Sequence, residues 1–286
     1  MKKGYKNLKE FLDAPGTIGL VVEGGGMRGI TTASMLKALA DHGYWKRFEQ
    51  GTGSSVGAAN LAYFMGNQIE DAIMLYSEVM PNNEFVKFTR FNKIMDIRVL
   101  ENFMRKDLET KLETKEIVKH PMNVIVPLSS IDELKQKPFV LKDSDDQVNL
   151  LCAGMSIPVL DNETRTVEGK NYIDGGTLDI LPIHLIDGTC DRYLVLRSDR
   201  KLRYRPHKIL FALFSKFQYG LTFKIGINAT ILSNNYKLKA FKRMKKKDIA
   251  VLYPPKNHKL NRITRNKDKL HRASKLTIAM MDNLLS

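Results

Sequence analysis

Apolar positions near the start of the chain predict a strand, a turn and a helix, in that order. Residues 17–22 form an apolar, β-branched run of strand length that ends just before three consecutive glycines. Beyond the glycines, apolar residues recur at three-to-four spacing. This spacing predicts a helix that is capped at Thr31 or Thr32 and ends at His42-Gly43.

The same order is then repeated. Residues 44–52 must supply a second strand, with Phe48 as its main apolar side chain. Residues 56–80 are apolar and rich in alanine, which predicts one buried helix that ends at Pro81. Two strand–turn–helix units therefore lie within the first eighty residues.

Further elements follow in the middle of the chain. Residues 85–117 are typical of connecting helices and carry no recognisable chemistry. Residues 123–128 and 139–141 predict two paired strands with a turn at 135–138, and residues 150–155 predict a short helix of small residues.

The last third has a different character. Residues 192–196 predict one more buried strand, after which apolar and aromatic residues at helical spacing are mixed with lysines. That mixture predicts a basic amphipathic helix at 209–217, and a closing helix is expected at 266–285. Either helix can pack against the sheet, and the first can instead contact a membrane.

Composition and charge favour one large α/β domain over residues 1–286. Apolar residues make up 43% of the 286, enough for a sizeable core. From Arg200 to the end there are 22 Lys and Arg against 3 Asp and Glu, so the formal charge of +15 belongs to this part. We therefore predict a motif-bearing core at 17–198 and a basic helical extension at 199–286. A basic patch is typical of a phospholipid-binding or nucleic-acid-binding surface, or simply of a solvated face.

The chain gives no sign of export. No signal peptide and no apolar run of the roughly 18 residues needed to span a bilayer is present. Cys152 and Cys190 are expected to be buried thiols rather than a disulfide or metal site. We expect a cytoplasmic protein that can bind peripherally at the inner membrane face.

The first motif that carries chemistry is a G-x-S-x-G pentapeptide at residues 53–57, with Ser55 at its centre. Small residues around a serine let a strand turn sharply into a helix and expose the hydroxyl on a strained corner. Ser55 is thus a candidate nucleophile. The helix that follows it would favour negative charge nearby. A plain turn before a helix is the simpler interpretation of the pentapeptide.

A second motif lies at the end of the first strand, where Gly24, Gly26 and Gly29 satisfy G-x-G-x-x-G. A dinucleotide-binding turn is one interpretation, with Glu49 as the acidic residue for the ribose. Backbone amides at a helix N-terminus also suit any other anion, including the oxyanion of an acyl-transfer intermediate. The pattern alone leaves both open.

The third motif is Asp174-Gly175-Gly176, which follows the short apolar stretch Tyr172-Ile173. An aspartate at a strand end before two glycines is placed for catalysis or for an ordinary turn. An aspartate is a weak base for a serine hydroxyl unless it is desolvated and bonded directly to it.

Together the three motifs, in order and spacing, resemble the patatin-like phospholipase family, over roughly residues 17–198. The resemblance implies a three-layer, modified α/β hydrolase fold like that of cytosolic phospholipase A2, with a central, mostly parallel sheet. It also implies a Ser-Asp dyad of Ser55 and Asp174. Residues 153–158 resemble the small-residue helix and proline that precede the family's aspartate.

The resemblance further assigns the glycines. The amides of Gly24, Gly25 and Gly26, near Arg28, would form the oxyanion hole, although Arg28 can also support that loop through a salt bridge. The remaining motif glycines would have structural roles; they are Gly29, Gly53, Gly57, Gly175 and Gly176. No metal and no cofactor is expected.

The function that follows is hydrolysis of a lipid ester, such as a phospholipid or lysophospholipid, through an acyl-enzyme. The basic extension would help the enzyme bind an anionic membrane, and no nucleic acid is expected. The oligomeric state is not predicted. Two alternatives stay open: His184 could complete a triad in the order Ser, Asp, His, and the chain could be a non-catalytic basic protein that binds a membrane or a nucleic acid.

Overall fold

A computed structural model of the chain describes residues 5–82, 84–87, 89, 94–107, 109–133, 135–157, 160–161, 163–200 and 248–286. Within these ranges the strands form a single mixed sheet of eight strands. In chain order the strands are β1 (Ile18–Val22), β2 (Gln50–Gly53), β3 (Asn123–Ser130), β4 (Gln136–Val140), β5 (Arg165–Val167), β6 (Lys170–Asp174), β7 (Arg192–Leu196) and β8 (Asp248–Leu252).

Five of the strands are parallel and form the centre of the sheet. Their spatial order is β3, β2, β1, β7 and β8, and each pairs in parallel with its neighbour. The strands β4 and β6 pair antiparallel with β3, and β5 pairs antiparallel with β6. The expected α/β fold with a central, mostly parallel sheet is confirmed.

Apolar side chains cover both faces of this sheet. On β1, Leu20 and Val22 point into a large core that also receives most of the helices. Val21 lies between them in sequence and points into a smaller core with Tyr193 and Ile183. Alternate residues of a strand face opposite sides, so β1 is buried on both faces, as is typical of a central parallel strand.

Helices connect the strands and build the large core. Those of the described residues are α1 (Leu8–Asp13), α2 (Gly29–Asp41), α3 (Val56–Met65), α4 (Ile69–Met74), α5 (Ile97–Lys106), α6 (Thr114–Lys119), α7 (Gln147–Met155) and α8 (Lys267–Leu285). The closing helix α8 packs along α2. Its Ser274 hydroxyl lies 2.8 Å from that of Ser34, which ties the end of the chain to the first helix of the core.

Two helix predictions differ from the structure in detail. Helix α2 begins at Gly29, directly after a 3₁₀ turn, rather than at a threonine cap. The hydroxyls of Thr31 and Thr32 instead donate back to the carbonyls of Arg28 and Gly29, as buried threonines in a first turn can do. The predicted long helix at 56–80 is interrupted after Met65 and ends in a π-helical turn at Leu75–Val79.

Two strand predictions also need correction. The strand β2 is Gln50–Gly53, and Phe48 precedes it, buried beside Phe64. The predicted turn at 135–138 was wrong: residues 136–138 already belong to β4, which pairs with β3.

The extension from residue 199 contains an element that the sequence did not predict. The strand β8 is parallel to β7 and adds a further strand to the sheet. The predicted amphipathic helix at 209–217 lies outside the described residues.

Three smaller findings concern the described residues alone. None of their helices has an apolar stretch that could cross a membrane. No three His, Cys, Asp or Glu side chains among them converge in a way that would hold a metal ion. Both cysteines are buried free thiols, which confirms that prediction.

Candidate active site

Ser55 lies at the turn between β2 and α3. Its backbone has φ 54° and ψ −137°, a conformation that is costly for a residue with a side chain and that the surrounding structure must enforce. The residue is only 7% exposed. It precedes the first residue of α3, so its hydroxyl is close to the positive end of a helix.

Close packing around this turn explains its two glycines. A methyl group on Gly53 would lie 2.6 Å from the carbonyl carbon of Gly57, inside the tight bend. A methyl group on Gly57 would overlap the carbonyl oxygen of Val22 at the end of β1. The strand, the bend and the helix can approach this closely because neither position has a side chain.

Asp174 reaches Ser55 because two strands share one edge of β3. Ile125 of β3 pairs with β2 on one side and with β4 on the other. Leu128, three residues further on, pairs with β4 and, on the opposite side, with Asp174 of β6. Since a strand has only two edges, β2 and β6 lie end to end along the same edge, and their carboxyl ends face each other.

The two side chains face each other at this junction. The Ser55 hydroxyl is close enough to the Asp174 carboxylate to lower its pKa, and the Gly176 amide donates a hydrogen bond to Oδ1 of Asp174. The Asp174 amide is itself held by the Ser156 carbonyl, 2.9 Å away, directly after α7. The aspartate is therefore held both at its backbone and at its carboxylate, beside the serine.

Burial has a strong effect on this carboxyl group. Asp174 is 3% exposed, and desolvation raises its pKa to about 6. The Ser55 hydroxyl, the hydrogen bond from Gly176 and the positive charge of Arg262 act in the opposite direction and limit the increase. At neutral pH the group is ionised and is a stronger base than an exposed aspartate.

The first glycine motif lies beside this pair. A methyl group on Gly24 would lie 3.1 Å from Cβ of Ser55, so the backbone of the motif passes directly along the serine. The amide of Gly24 donates to the carbonyl of Ile180 at 3.4 Å. The amides of Gly25 and Gly26 have no hydrogen-bond acceptor among the described residues. Two of the three predicted oxyanion donors are thus available, and the third is engaged.

A further available amide was missed by the sequence analysis. Val56, the residue after the serine, also donates to no acceptor within the described ranges. It is the first residue of α3, where backbone N–H groups have no partner within the helix. The G-x-S-x-G motif itself carries the signal, since the residue after a nucleophile at such a turn is a common oxyanion donor.

Arg28 forms a salt bridge, which was the second of the two roles considered for it from the sequence. Its guanidinium is buried and binds Asp199. Burial, together with the charge of Arg262, lowers its pKa. Its Nε lies near Gly25, where an added methyl group would be 3.3 Å away. Arg28 therefore packs behind the glycines while its charge is neutralised by Asp199.

A second buried ion pair holds the same motif from the other side. Glu23, which directly precedes the glycines, binds Arg197 at 2.8 Å, and each side chain is 1% exposed. The Glu23 carboxylate also accepts a hydrogen bond from the Ser198 amide at 2.8 Å. The Ser198 hydroxyl donates to the Gly24 carbonyl at 2.9 Å. The residues that follow β7 therefore fix the position of the glycines after β1.

Comparisons with known proteins identify the family of the chain. The patatin-like phospholipase family matches residues 20–187, more than half of the chain, and this range includes all three motifs. The chain belongs to the patatin-like phospholipase family. The crystal structure of VipD from Legionella pneumophila is similar in fold, with a TM-score of 0.52 at 15% identity, over 95% of this chain and 67% of VipD. The type III effector protein ExoU gives a TM-score of 0.41 at 13% identity, over 95% and 53% of the two chains.

A curated relative is similar in sequence. The uncharacterized protein YjjU of Escherichia coli K12 is 27% identical over 172 residues, which are 59% of this chain and 48% of YjjU. The patatin-like chain thus aligns with about half the length of that relative.

The residues to which the sequence analysis gave alternative roles make other contacts in this patatin-like chain. His184, the proposed third member of a triad, lies 3.4 Å from Asp179. Glu49, the proposed ribose ligand, accepts a hydrogen bond from the Ile18 amide at 2.6 Å and so caps β1. A methyl group on Gly29 would overlap Tyr76, so the third glycine serves helix packing.

A small apolar cavity of about 30 Å³ lies beside the turn that carries Ser55. Its walls include Val56 and Met155, which are the sequence neighbours of Ser55 and of Ser156. It continues between the helices, where its lining side chains include Ala59, Tyr63, Leu100 and Met104.

Proposed function

We propose that this patatin-like protein is a serine acyl hydrolase that cleaves carboxylic esters of lipids through an acyl-enzyme. The observation that carries the proposal is the meeting of the Ser55 hydroxyl and the buried carboxylate of Asp174 where the carboxyl ends of β2 and β6 face each other. It joins a serine on a strained turn to a base whose pKa is raised to about 6. These are the two requirements for activating a serine nucleophile without a histidine.

The proposed reaction begins with attack on the ester. Asp174 accepts the Ser55 proton as the serine oxygen bonds to the carbonyl carbon, and the tetrahedral intermediate then collapses with release of the protonated alcohol. Water, activated by the same carboxylate, attacks the acyl-enzyme and releases the fatty acid. Each proton that Asp174 accepts is returned, to the leaving alcohol in the first half and to Ser55 in the second.

The backbone would stabilise the negative charge that develops on the carbonyl oxygen. The amides of Gly25, Gly26 and Val56 are the donors that we assign to this oxyanion hole. A donor of this kind typically contributes ~10²- to 10³-fold to the rate. Arg28 acts indirectly, by packing against the glycines.

Lipid esters are the proposed substrates because of the cavity beside Val56. The cavity is too small to hold an acyl chain as it stands, but its apolar side chains suit a hydrocarbon and offer little to a polar acyl group. We further propose, as the charge of the extension suggests, that the enzyme works at an anionic membrane surface.

An activity-based fluorophosphonate probe tests the proposal. We expect the wild type to be labelled, with the adduct at Ser55 by peptide mass spectrometry, and to hydrolyse short-chain esters and lysophospholipids. Labelling should be lost in Ser55→Ala and should fall by at least ~10³-fold in rate in Asp174→Asn. Asp145→Asn, which changes an exposed aspartate, is the matched control and should react as the wild type does.

Two outcomes would contradict the proposal. One is a folded wild type that neither reacts with the probe nor hydrolyses any ester of the panel. The other is an adduct on a different serine. Salt-dependent binding to anionic vesicles or nucleic acid, without any ester hydrolysis and unchanged in Asp174→Asn, would favour the non-catalytic alternative.

A further inference from the structure

A segment near the end of the chain packs directly on the first glycine motif. The carbonyl oxygen of Arg262 accepts a hydrogen bond from the Met27 amide at 3.1 Å. A methyl group on Gly26, whose φ is +57°, would lie 2.5 Å from the same oxygen. The backbone of residue 262 is thus part of the wall next to the proposed oxyanion hole.

The side chain of Arg262 is exposed although its backbone is fixed. Its positive charge acts on two buried groups, Asp174 and Arg28, so the guanidinium is within electrostatic reach of both the dyad and the glycine motif. No carboxylate of the described residues forms a salt bridge with it.

Neighbouring arginines, in contrast, are bound to other groups. Arg28 is paired with Asp199, and Arg197 with Glu23. Arg200 donates to the Pro254 carbonyl at 2.7 Å, and Arg265 to the Pro81 carbonyl at 3.0 Å. In the described part of the chain, Arg262 is therefore the arginine at the glycine motif whose charge faces solvent rather than a protein acceptor.

We propose that Arg262 binds the phosphate of the substrate, so that the enzyme prefers phosphate-bearing lipid esters to neutral acylglycerols. This inference rests on the proposed function and adds the group that the site recognises beyond the ester. A guanidinium presents a planar set of donors that matches phosphate oxygens in pairs, which an ammonium group does not. The exposed position lets the phosphate stay partly hydrated while the ester reaches Ser55.

Placement on the glycine motif gives this contact a second property. The hydrogen bond to Met27 is made by the backbone carbonyl of Arg262, whereas the proposed contact with the phosphate is made by its side chain. Replacing the side chain therefore keeps the hydrogen bond at the motif. A variant at residue 262 can therefore separate recognition of the phosphate from construction of the oxyanion hole.

The test compares two esters with the same acyl chain, a lysophospholipid and a monoacylglycerol, at pH 8. In Arg262→Ala we expect kcat/KM for the lysophospholipid to fall about 10- to 100-fold, the usual effect of losing charge-assisted hydrogen bonds. For the monoacylglycerol it should change by less than about threefold. Arg262→Lys should recover only part of the loss, because the paired donor geometry is missing.

Lys256→Ala is the matched control. Lys256 is an exposed cation in the same segment, and its removal makes the same change in net charge. We expect both esters to be hydrolysed as by the wild type. A loss equal to that of Arg262→Ala would mean that general charge attraction, and not a site at residue 262, sets the preference.

Inhibition experiments identify the source of the phosphate. Glycerol phosphate and inorganic phosphate are each tested against monoacylglycerol hydrolysis, in the wild type and in Arg262→Ala. Competitive inhibition by glycerol phosphate that disappears in the variant supports a head-group site. Inhibition by inorganic phosphate of equal strength means that the site binds free phosphate, and it would contradict the head-group assignment.

The remaining outcomes separate the two proposals. An equal loss on both esters in Arg262→Ala, or no loss on either, would overturn the role of Arg262 while the wild type is still labelled at Ser55. A wild type that is neither labelled nor active would overturn the proposed function instead.

Discussion

The two turns that meet at the candidate active site are built in different ways. The nucleophile turn, residues 53–57, is shaped by its own sequence: the glycines at either end remove side chains that would collide with backbone a few residues away or on the next strand. The first glycine motif, residues 24–29, is the turn that we propose as part of the oxyanion hole and is called the oxyanion turn below. It is instead held by distant parts of the chain. Its contacts come from residues 197–199 after β7 and from residue 262.

This difference separates local from long-range requirements. A strained residue such as Ser55 persists only where surrounding backbone enforces its conformation, and at the nucleophile turn that backbone belongs to the turn itself and to the end of the neighbouring strand β1. At the oxyanion turn the same rigidity depends on buried charge, because Glu23 and Arg197 have to meet inside the protein. We therefore expect the two turns to fail in different ways when they are mutated.

The largest effect is expected at the buried ion pair of the oxyanion turn. Glu23→Ala leaves the Arg197 charge buried without its partner, and removal of one partner of such a pair typically destabilises a protein by about 3–5 kcal/mol. Chemical denaturation measures the loss. Activity should fall as well, because Glu23 no longer holds the Ser198 amide and Ser198 is no longer fixed against the Gly24 carbonyl.

A double variant distinguishes an ion pair from simple loss of packing. Glu23→Ala combined with Arg197→Met removes both charges, and it should be more stable than Glu23→Ala alone. Additive losses in the two single variants would show that the two residues act independently, and would remove the distinction between the turns.

The second effect, of opposite sign, is expected at Asp174. Its pKa is about 6 in the folded chain against an ordinary 3.8, so ionisation of Asp174 destabilises the folded state by about 3 kcal/mol. The whole of this cost applies above pH 7, and none of it applies below pH 3, where the carboxyl group is protonated in both states. Asp174→Asn removes this cost. At pH 8 we expect the variant to be inactive yet more stable than the wild type by up to that amount.

Two pH profiles check this prediction. The stability advantage of Asp174→Asn should shrink as the pH falls from 7 towards 4, in thermal or urea denaturation. For the wild type, kcat/KM should rise with pH through a midpoint near 6, because only the ionised carboxylate accepts the serine proton. If Asp174→Asn were less stable than the wild type at pH 8 as well as at pH 4, burial would not be the cause of the raised pKa of Asp174.

The third prediction concerns the nucleophile turn itself. Gly57→Ala places a methyl group against the Val22 carbonyl, so α3 has to move away from β1. We expect a loss of stability of about 1–3 kcal/mol. The rate should fall about 10²-fold, since a displacement near 1 Å at a reacting group has that effect. Near wild-type activity with unchanged stability would show that the turn is less rigid than its contacts indicate.

The smallest effect is the matched control for that variant. Gly154 lies in α7, where an added methyl group would meet only the side chains of Leu128 and Val126 at an ordinary 3.5 Å. Gly154→Ala should therefore stabilise the helix, by about 0.5–1 kcal/mol, and leave the rate unchanged. A thermal-shift measurement beside Gly57→Ala shows whether the effect there comes from collision or from glycine replacement as such.

The parts of the site that could be predicted are those that short motifs encode. Ser55 and Asp174 each lie at a strand end among glycines, and the requirement for close backbone approach is visible in the sequence itself. The central strands were predictable for a similar reason, because β1 and β7 are continuous apolar runs.

The parts that could not be predicted depend on contacts across long stretches of chain. Nothing near Glu23 indicates that its partner is Arg197, 174 residues later. Likewise β8 is only five residues long and directly follows a lysine-rich run, so the basic extension was expected to be helical. Arg262 is one of many cations there, and only its position on the glycine motif distinguishes it.

The contact between residue 262 and the glycine motif has a consequence for how related genes are interpreted. A copy truncated before residue 248 would still carry all three signature motifs, the last of which ends at Gly176. It would nevertheless lack the edge strand β8 and the segment that supports Met27. Shortened homologues that keep the serine and the aspartate therefore have to be examined for an equivalent of this segment before they are counted as enzymes.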